Sequence, residues 1–376
     1  MKILILNWRD IKHPNSGGAE IVTFEHAKAW VRAGHKVTWF SSAFKDGEKE
    51  ETVEGIKIIR RGNELFTVNI AALFWYLKQG RGQFDIVVDQ FHGVPFFTPL
   101  YVKEKKLAFI HEVTKEVWLL NPLPKPFNLL VGYFGYFIEP WIFKLYRQTP
   151  FFTVSPSTKE DVVNFGIPRE NITVVPNGIR IVRPKPFPKK ETLPTVIFLG
   201  ALAKDKGIEE AIRAFGLIYQ KDKNYQFWVV GGSDPLYLKK LKSMAKTLGV
   251  SRKVKFWGFI SEKKKFELLA RAHILVNPSV REGWGLVVIE ANSMGTPVIA
   301  YNSPGLRDSV VHRKTGLICK QNFPQNLAMD IMKLMENKNL YNRLQKGALK
   351  WSQRFDWKIS TKQSLDLIES IVAKWN

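Results

Sequence analysis

The chain has 376 residues, is short of cysteine and of acidic residues, and carries no long apolar run. Its one cysteine, Cys319, excludes an internal disulfide framework and a cysteine-built metal cluster. One thiol is compatible with a reducing compartment. No stretch of about 18 uncharged apolar residues occurs, so no membrane-spanning helix is predicted. The first apolar run, Ile3 to Leu6, is too short for a signal-peptide core and reads as a strand. The dinucleotide fingerprint Gly-x-Gly-x-x-Gly is missing, which argues against a nicotinamide-dependent oxidoreductase. Low-complexity tracts are absent, and the expected location is cytoplasmic.

What is present is basic. The net charge is +23, with +7 in residues 1–188 and +16 in residues 189–376. Such a balance favours phosphorylated substrates, nucleic acid or an anionic membrane. The lysines are scattered rather than gathered on one helix, and no recognition motif appears, so no specific nucleic acid partner is expected.

Strand and helix patterns alternate along the chain. Lys2 to Asn7 reads as a strand, Ala19 to Arg32 as a helix stopped by Gly34, and Lys36 to Phe40 as the next strand. Further strands are predicted at Phe84 to Asp89, Leu107 to Ile110 and Phe151 to Val154. The Pro-rich, charged segment Val182 to Lys190 reads as a linker. The alternation then restarts at Thr195 to Leu199 and runs past Pro297 to Ala300. Continuous apolar strands separated by helices imply parallel sheets covered on both faces. The predicted fold is α/β, with two Rossmann-like doubly wound domains facing a cleft. The first is expected over 1–182, the second over 190–356, with a last helix over about 357–376 returning to the first.

Three segments carry chemistry. Arg281-Glu282-Gly283-Trp284-Gly285-Leu286-Val287-Val288-Ile289-Glu290 places two carboxylates eight residues apart around a Gly-x-Gly helix entry. A helix start offers unpaired N–H groups and a positive dipole end to a phosphate. Were the whole span helical, the carboxylates would lie roughly 12 Å apart, about the reach of a nucleotide sugar. Gly200-Ala201-Leu202-Ala203-Lys204-Asp205-Lys206-Gly207 runs from a strand into a helix beside two lysines. An anion there would offset the unfavourable placing of a cation at a helix N-terminus. Gly17 and Gly18, after the first strand, let backbone approach a ligand closely.

Taken together these segments resemble the GT-B family of retaining glycosyltransferases numbered family 4. Gly17-Gly18-Ala19-Glu20 with Ala33-Gly34-His35-Lys36-Val37 looks like its N-terminal signature. Ser155-Pro156-Ser157 followed by Ile172 to Ile179 looks like the end of its first domain. Lys206-Gly207, Val229-Val230-Gly231-Gly232 and Phe256-Trp257-Gly258-Phe259 complete the series with the two-glutamate stretch. The resemblance implies transfer of a sugar from a nucleotide diphosphate sugar to a hydroxyl acceptor: lipid-linked, glycan or small molecule. It implies that Glu282 contacts the donor sugar and Glu290 the ribose. Lys206 would face the diphosphate beside backbone N–H groups of Trp284, Gly285 and Leu286, with Gly283 also binding the donor. Gly17 and Gly18 would approach the donor, Gly258, Phe259 and Ile260 would flank the base, and His111 would support the reaction, with His92 a weaker candidate. Where the family has a phosphate-gripping Arg this chain has Ala201, with Lys204 the possible replacement. No Asp-x-Asp pair occurs, so no metal is expected, and no cofactor beyond the nucleotide sugar as co-substrate.

Residues 127–146 hold eight aromatics in twenty. With Lys125 and Arg147 at its ends, the region 117–152 reads either as a peripheral contact with an anionic membrane, on its inner face, or as core helices or an interface with another copy.

Overall fold

The computed structural model describes residues 1–64, 67–121 and 123–373. The chain divides into two compact units, Met1–Gly178 with the segment from Asp356 onward, and Ile179–Phe355.

Among the described residues, the first unit builds eight strands: β1 (Lys2–Leu6), β2 (Lys36–Ser41), β3 (Glu50–Val53), β4 (Ile56–Arg60), β5 (Ile86–Phe91), β6 (Lys105–Ile110), β7 (Phe151–Thr153) and β8 (Ile172–Val174). Its helices are α1 (Gly18–Arg32), α2 (Val68–Trp75), α3 (Phe127–Leu145) and α4 (Pro156–Asn164). The sheet order is β3-β4-β2-β1-β5-β6-β7-β8. Every pairing is parallel except the β3/β4 hairpin. That hairpin went unread in the sequence, because Glu50–Val53 is charged and has no fully buried residue. It is fastened by Arg60, whose guanidinium grips Asp10 at 2.7 and 2.8 Å with both side chains fully buried. The strand expected at Phe84 to Asp89 lies two residues later, at Ile86–Phe91.

The second unit carries β9 (Thr195–Leu199), β10 (Gln226–Val230), β11 (Val254–Gly258), β12 (Ile274–Asn277), β13 (Val298–Ala300) and β14 (Gly316–Ile318) in the order β11-β10-β9-β12-β13-β14, all parallel. Its helices are α5 (Ile208–Lys221), α6 (Pro235–Thr247), α7 (Glu262–Arg271), α8 (Leu286–Ser293), α9 (Leu306–Ser309), α10 (Pro324–Glu336) and α11 (Lys338–Ser352). Strands such as Thr195–Leu199 are buried almost throughout, as parallel strands covered on both faces must be. The last helix, α12 (Trp357–Ala373), rejoins the first unit. Trp30 Nε1 of α1 donates to Ser364 Oγ at 3.2 Å, and His35 Nε2 sits 3.1 Å from Glu369. Residues 374–376 of the predicted final helix lie outside the described residues, as does Pro122 within the 117–152 region.

Candidate functional site

Ligands of doubly wound sheets sit beyond the carboxyl ends of the strands, where the strand order reverses. In the second unit that point lies between β9 and β12. The loop after β9 ends at Gly207, which caps α5 in the left-handed region, φ 72°. A Cβ there would lie 2.1 Å from the Pro278 carbonyl oxygen, so only glycine lets this loop press against the residues after β12. Val280 N donates to Asp205 O at 2.8 Å across the same contact.

That approach brings Lys206 to Glu282, with Nζ 3.2 Å from Oε1. Ser279 Oγ lies 2.8 Å from the same carboxylate oxygen and 2.7 Å from Asn277 Oδ1. Glu282 N donates to Pro304 O at 3.2 Å. Gly305, at φ 75°, lies so close that a Cβ would stand 2.0 Å from Glu282 O. Glu282 is thus seated by three segments, and Asn277, Ser279 and Gly305 are site residues that spacing in the sequence did not expose.

The two-glutamate stretch is not one helix. Gly285 is left-handed, φ 80°, and α8 begins only at Leu286, so Glu282 stands in the loop before it. The helical separation expected for the pair therefore does not apply. Gly283 and Gly285 flank Trp284, whose buried ring packs 5.2 Å from that of Phe355 and anchors the turn. The N-terminus of α8 follows directly, with the amide of Leu286 in its first turn.

Glu290 lies on the C-terminal half of α8. Burial raises its carboxyl above the usual range, and the ammonium of Lys265 pulls against that rise. Lys265 Nζ, on α7, is 2.7 Å from Glu290 Oε1 and 2.8 Å from Glu262. This partner, 25 residues distant in the chain, was not foreseen. Gly258, φ 66°, ends β11, and Phe259 beyond it is 92% exposed, its ring 3.4 Å from where a Cβ of Gly232 would be. Ile260 is half-buried, and Lys204 is exposed, as is Ala201.

In the first unit the order reverses between β1 and β5. Gly17 caps α1 with φ −133°, a conformation open to any residue, so left-handed backbone is not its reason. Gly18 starts the helix. Glu20 returns its carboxylate to Gly17 N at 2.7 Å and also accepts from Trp8 Nε1 at 3.1 Å. Trp8 stacks on His92 with ring centroids 4.9 Å apart, and His92 on His111 at 6.1 Å. Trp8, His92 and His111 follow β1, β5 and β6, which are neighbours in the sheet. His111 is buried, and burial together with His92 pushes its imidazole down to about 3. It is therefore neutral at physiological pH, a hydrogen-bonding group rather than a cation.

Two parallel doubly wound sheets, each with its motif residues at the carboxyl ends beside the order reversal, define a GT-B glycosyltransferase. The sequence matches "Glycosyltransferase Family 4" over residues 16–183 and "Glycosyl transferases group 1" over residues 181–351, and the chain belongs to this family. It is 27% identical to the glycogen synthase of Mycobacterium tuberculosis over 402 aligned residues, covering 95% of this chain and 92% of that protein. It is also 27% identical over 237 residues to an uncharacterized glycosyltransferase of Methanocaldococcus jannaschii, spanning 59% of this chain and 60% of the relative. The sucrose-phosphate synthase structure from Thermosynechococcus elongatus superposes with a TM-score of 0.80 at 19% identity, over 99% of both chains. The Anabaena HepE structure in complex with UDP and glucose does so at 0.72 and 20%, over 98% of this chain and all of that one. The protein is a glycosyltransferase that moves sugar from a nucleotide sugar to an acceptor.

Proposed function

We propose that this enzyme transfers a glycosyl group from a nucleoside diphosphate sugar to a hydroxyl with retention at the anomeric carbon, and without a metal. The observation that carries this reading is the Lys206–Glu282 pair, 3.2 Å apart, beside the N-terminus of α8. The cation and the helix dipole suit the leaving diphosphate, and the carboxylate suits sugar hydroxyls next to it. Lys204 supplies a second cation where the family's Arg is replaced by Ala201. Glu290, held by Lys265, takes the ribose hydroxyls. The exposed ring of Phe259, between Gly258 and Ile260, flanks the base. Gly17, Gly18 and neutral His111 are the first unit's contribution to sugar and donor.

With no enzyme nucleophile assigned, the acceptor attacks on the face the leaving group departs from. The C–O bond to phosphate breaks as the new C–O bond forms, and the departing phosphate oxygen takes the acceptor's proton. The protein's share is positioning and charge stabilisation. The first unit is read as the acceptor side and the second as the donor side. Peripheral contact with an anionic membrane through 117–152 belongs to the same reading and suits a lipid-linked acceptor and a cytoplasmic enzyme. Among the described residues no helix is long and apolar enough to cross a membrane.

The test is a panel of nucleotide sugars, starting with UDP-glucose, measured for binding and donor hydrolysis with and without EDTA. Binding and hydrolysis of one donor, unaffected by EDTA, with hydrolysis strongly reduced in Glu282→Ala, is the expected result. Inversion at the anomeric carbon by NMR, or activity abolished by EDTA, would contradict it.

A further inference from the structure

The first unit carries an apolar layer that the transfer reaction does not use. Helix α3 buries one narrow stripe, Gly132, Gly135, Glu139 and Phe143. Trp118 packs into the gap left by Gly135, where a Cβ would come within 2.4 Å of its ring. Glu139 accepts from Thr114 N at 2.6 Å, Lys115 N at 2.7 Å and Trp118 Nε1 at 3.2 Å. The helix is therefore firmly seated. Yet Phe127, Leu130, Phe134, Phe137 and Trp141, spaced as one helical stripe, are 61–70% exposed.

Helix α2 repeats the arrangement. It packs Val68 and Ala72 inward, while Ile70 and Phe74 are 55% and 56% exposed and Leu77, in the π-helical turn Tyr76–Gly80 that follows, is 45% exposed. The two helices cover the same face of the sheet. Val87 packs with α2, and Phe91 packs with Phe143 of α3. These residues are four apart on β5 and so point the same way. Between them Asp89 accepts from Thr98 Oγ1 at 2.7 Å and from Tyr146, just past α3, at 2.6 Å. Asn69 of α2 donates to Pro95 O at 2.7 Å. Thus α2, the 95–102 segment and the end of α3 form one tied layer, with Leu100 67% exposed in it.

On the two helices and their flanks the exposed charges are basic; the carboxylates beside them are Glu104, half-buried and tied to Tyr76 and Gly82 N, and Glu116, exposed in the turn before α3. Within residues 67–83 the charged side chains are Lys78 and Arg81, both exposed. Within 123–148 they are Lys125, Lys144 and Arg147, all exposed, and Glu139, which is buried. Lys144 Nζ lies 3.6 Å from the Trp141 ring centroid, a pairing suited to a headgroup boundary. A two-fold dimer through this face would set the same cations against one another. An anionic surface with an apolar interior answers both features.

We propose that α2 and α3 together form a single docking face for an anionic bilayer, with Ile70, Phe74 and Leu77 entering the headgroup region alongside the stripe of α3. This rests on the reading of 117–152 as a membrane contact and extends it to an element with no part in that reading.

The test is sedimentation of the full chain with phosphatidylcholine vesicles, with and without phosphatidylglycerol. Wild type is compared with Ile70→Ser/Phe74→Ser and Phe134→Ser/Phe137→Ser, each checked by circular dichroism. Wild type is expected to bind only the anionic vesicles, and each double variant to bind roughly tenfold or more weakly. Normal binding by the α2 variant with loss in the α3 variant overturns the two-helix face and leaves the α3 contact standing. No binding by wild type overturns both. A dimer in ultracentrifugation that Phe134→Ser/Phe137→Ser dissolves, without vesicle binding, assigns the face to a second copy and overturns the proposal. Equal binding to neutral vesicles overturns its anionic partner.

Discussion

Glu282 is held through its side chain by Lys206 and Ser279 and through its backbone by Pro304. Its role in the proposed reaction is electrostatic, so Glu282→Ala should lower kcat by about 10²-fold or more in steady-state transfer assays. Gly305→Ala tests the seating instead. The added methyl would stand 2.0 Å from Glu282 O in a left-handed backbone, so both activity and melting temperature should fall. Lys265 acts through Glu290. Without it, burial and the Glu262 carboxylate both push that carboxyl up with nothing opposing them, which favours its protonated form. A protonated carboxyl is the poorer acceptor for ribose hydroxyls. Lys265→Met should therefore raise donor KM severalfold with a smaller change in kcat. The defect should shrink as pH rises, and a pH-independent defect would argue against the positioning role.

At the scale of elements, the helix α8 was legible in the apolar run after Gly285, but its first residue was not. The left-handed Gly285 decides that Glu282 belongs to a loop, and a single sequence does not show a φ angle. The Lys265–Glu290 pair arises from α7 packing on α8, a tertiary contact that helical spacing within either element does not reveal. The β3/β4 hairpin was invisible for another reason: a charged edge with no fully buried residue lacks the apolar signal of a buried strand. Helix α3 was legible as aromatic, but its outward stripe emerges only from which side Gly132, Gly135 and Glu139 bury. Glu139→Ala leaves two backbone amides and an indole N–H without their carboxylate. It should cost about 1–3 kcal/mol in chemical denaturation.

At the scale of the whole molecule, the first unit stores three neutral histidines. Burial pushes His26, His92 and His111 each down to about 3. Unfolded histidine titrates near 6.5. Between those values the unfolded chain binds more protons than the folded one, so stability rises with pH. It is fully present above about 6.5 and is lost as pH falls below that value. Melting curves from pH 7.5 to 4.5 should show this decline. His26→Phe should flatten its slope, since His26 sits among Trp30, Phe109, Phe152 and Trp357. The same shift predicts no activity limb near pH 6.5 from His111, which is neutral throughout that range.

The α/β alternation, the buried strand cores and the family were legible in the sequence alone. Periodicity and short motifs are local properties, and buried parallel strands announce themselves through continuous apolar runs. Tertiary structure alone decided which loops meet. Sheet order sets Trp8, His92 and His111 in one stack, and left-handed glycines let Lys206 reach Glu282. It also decided which side of α2 and α3 stays in the open. These depend on contacts between residues far apart in the chain, and those contacts exist only once the sheets have closed around their cores.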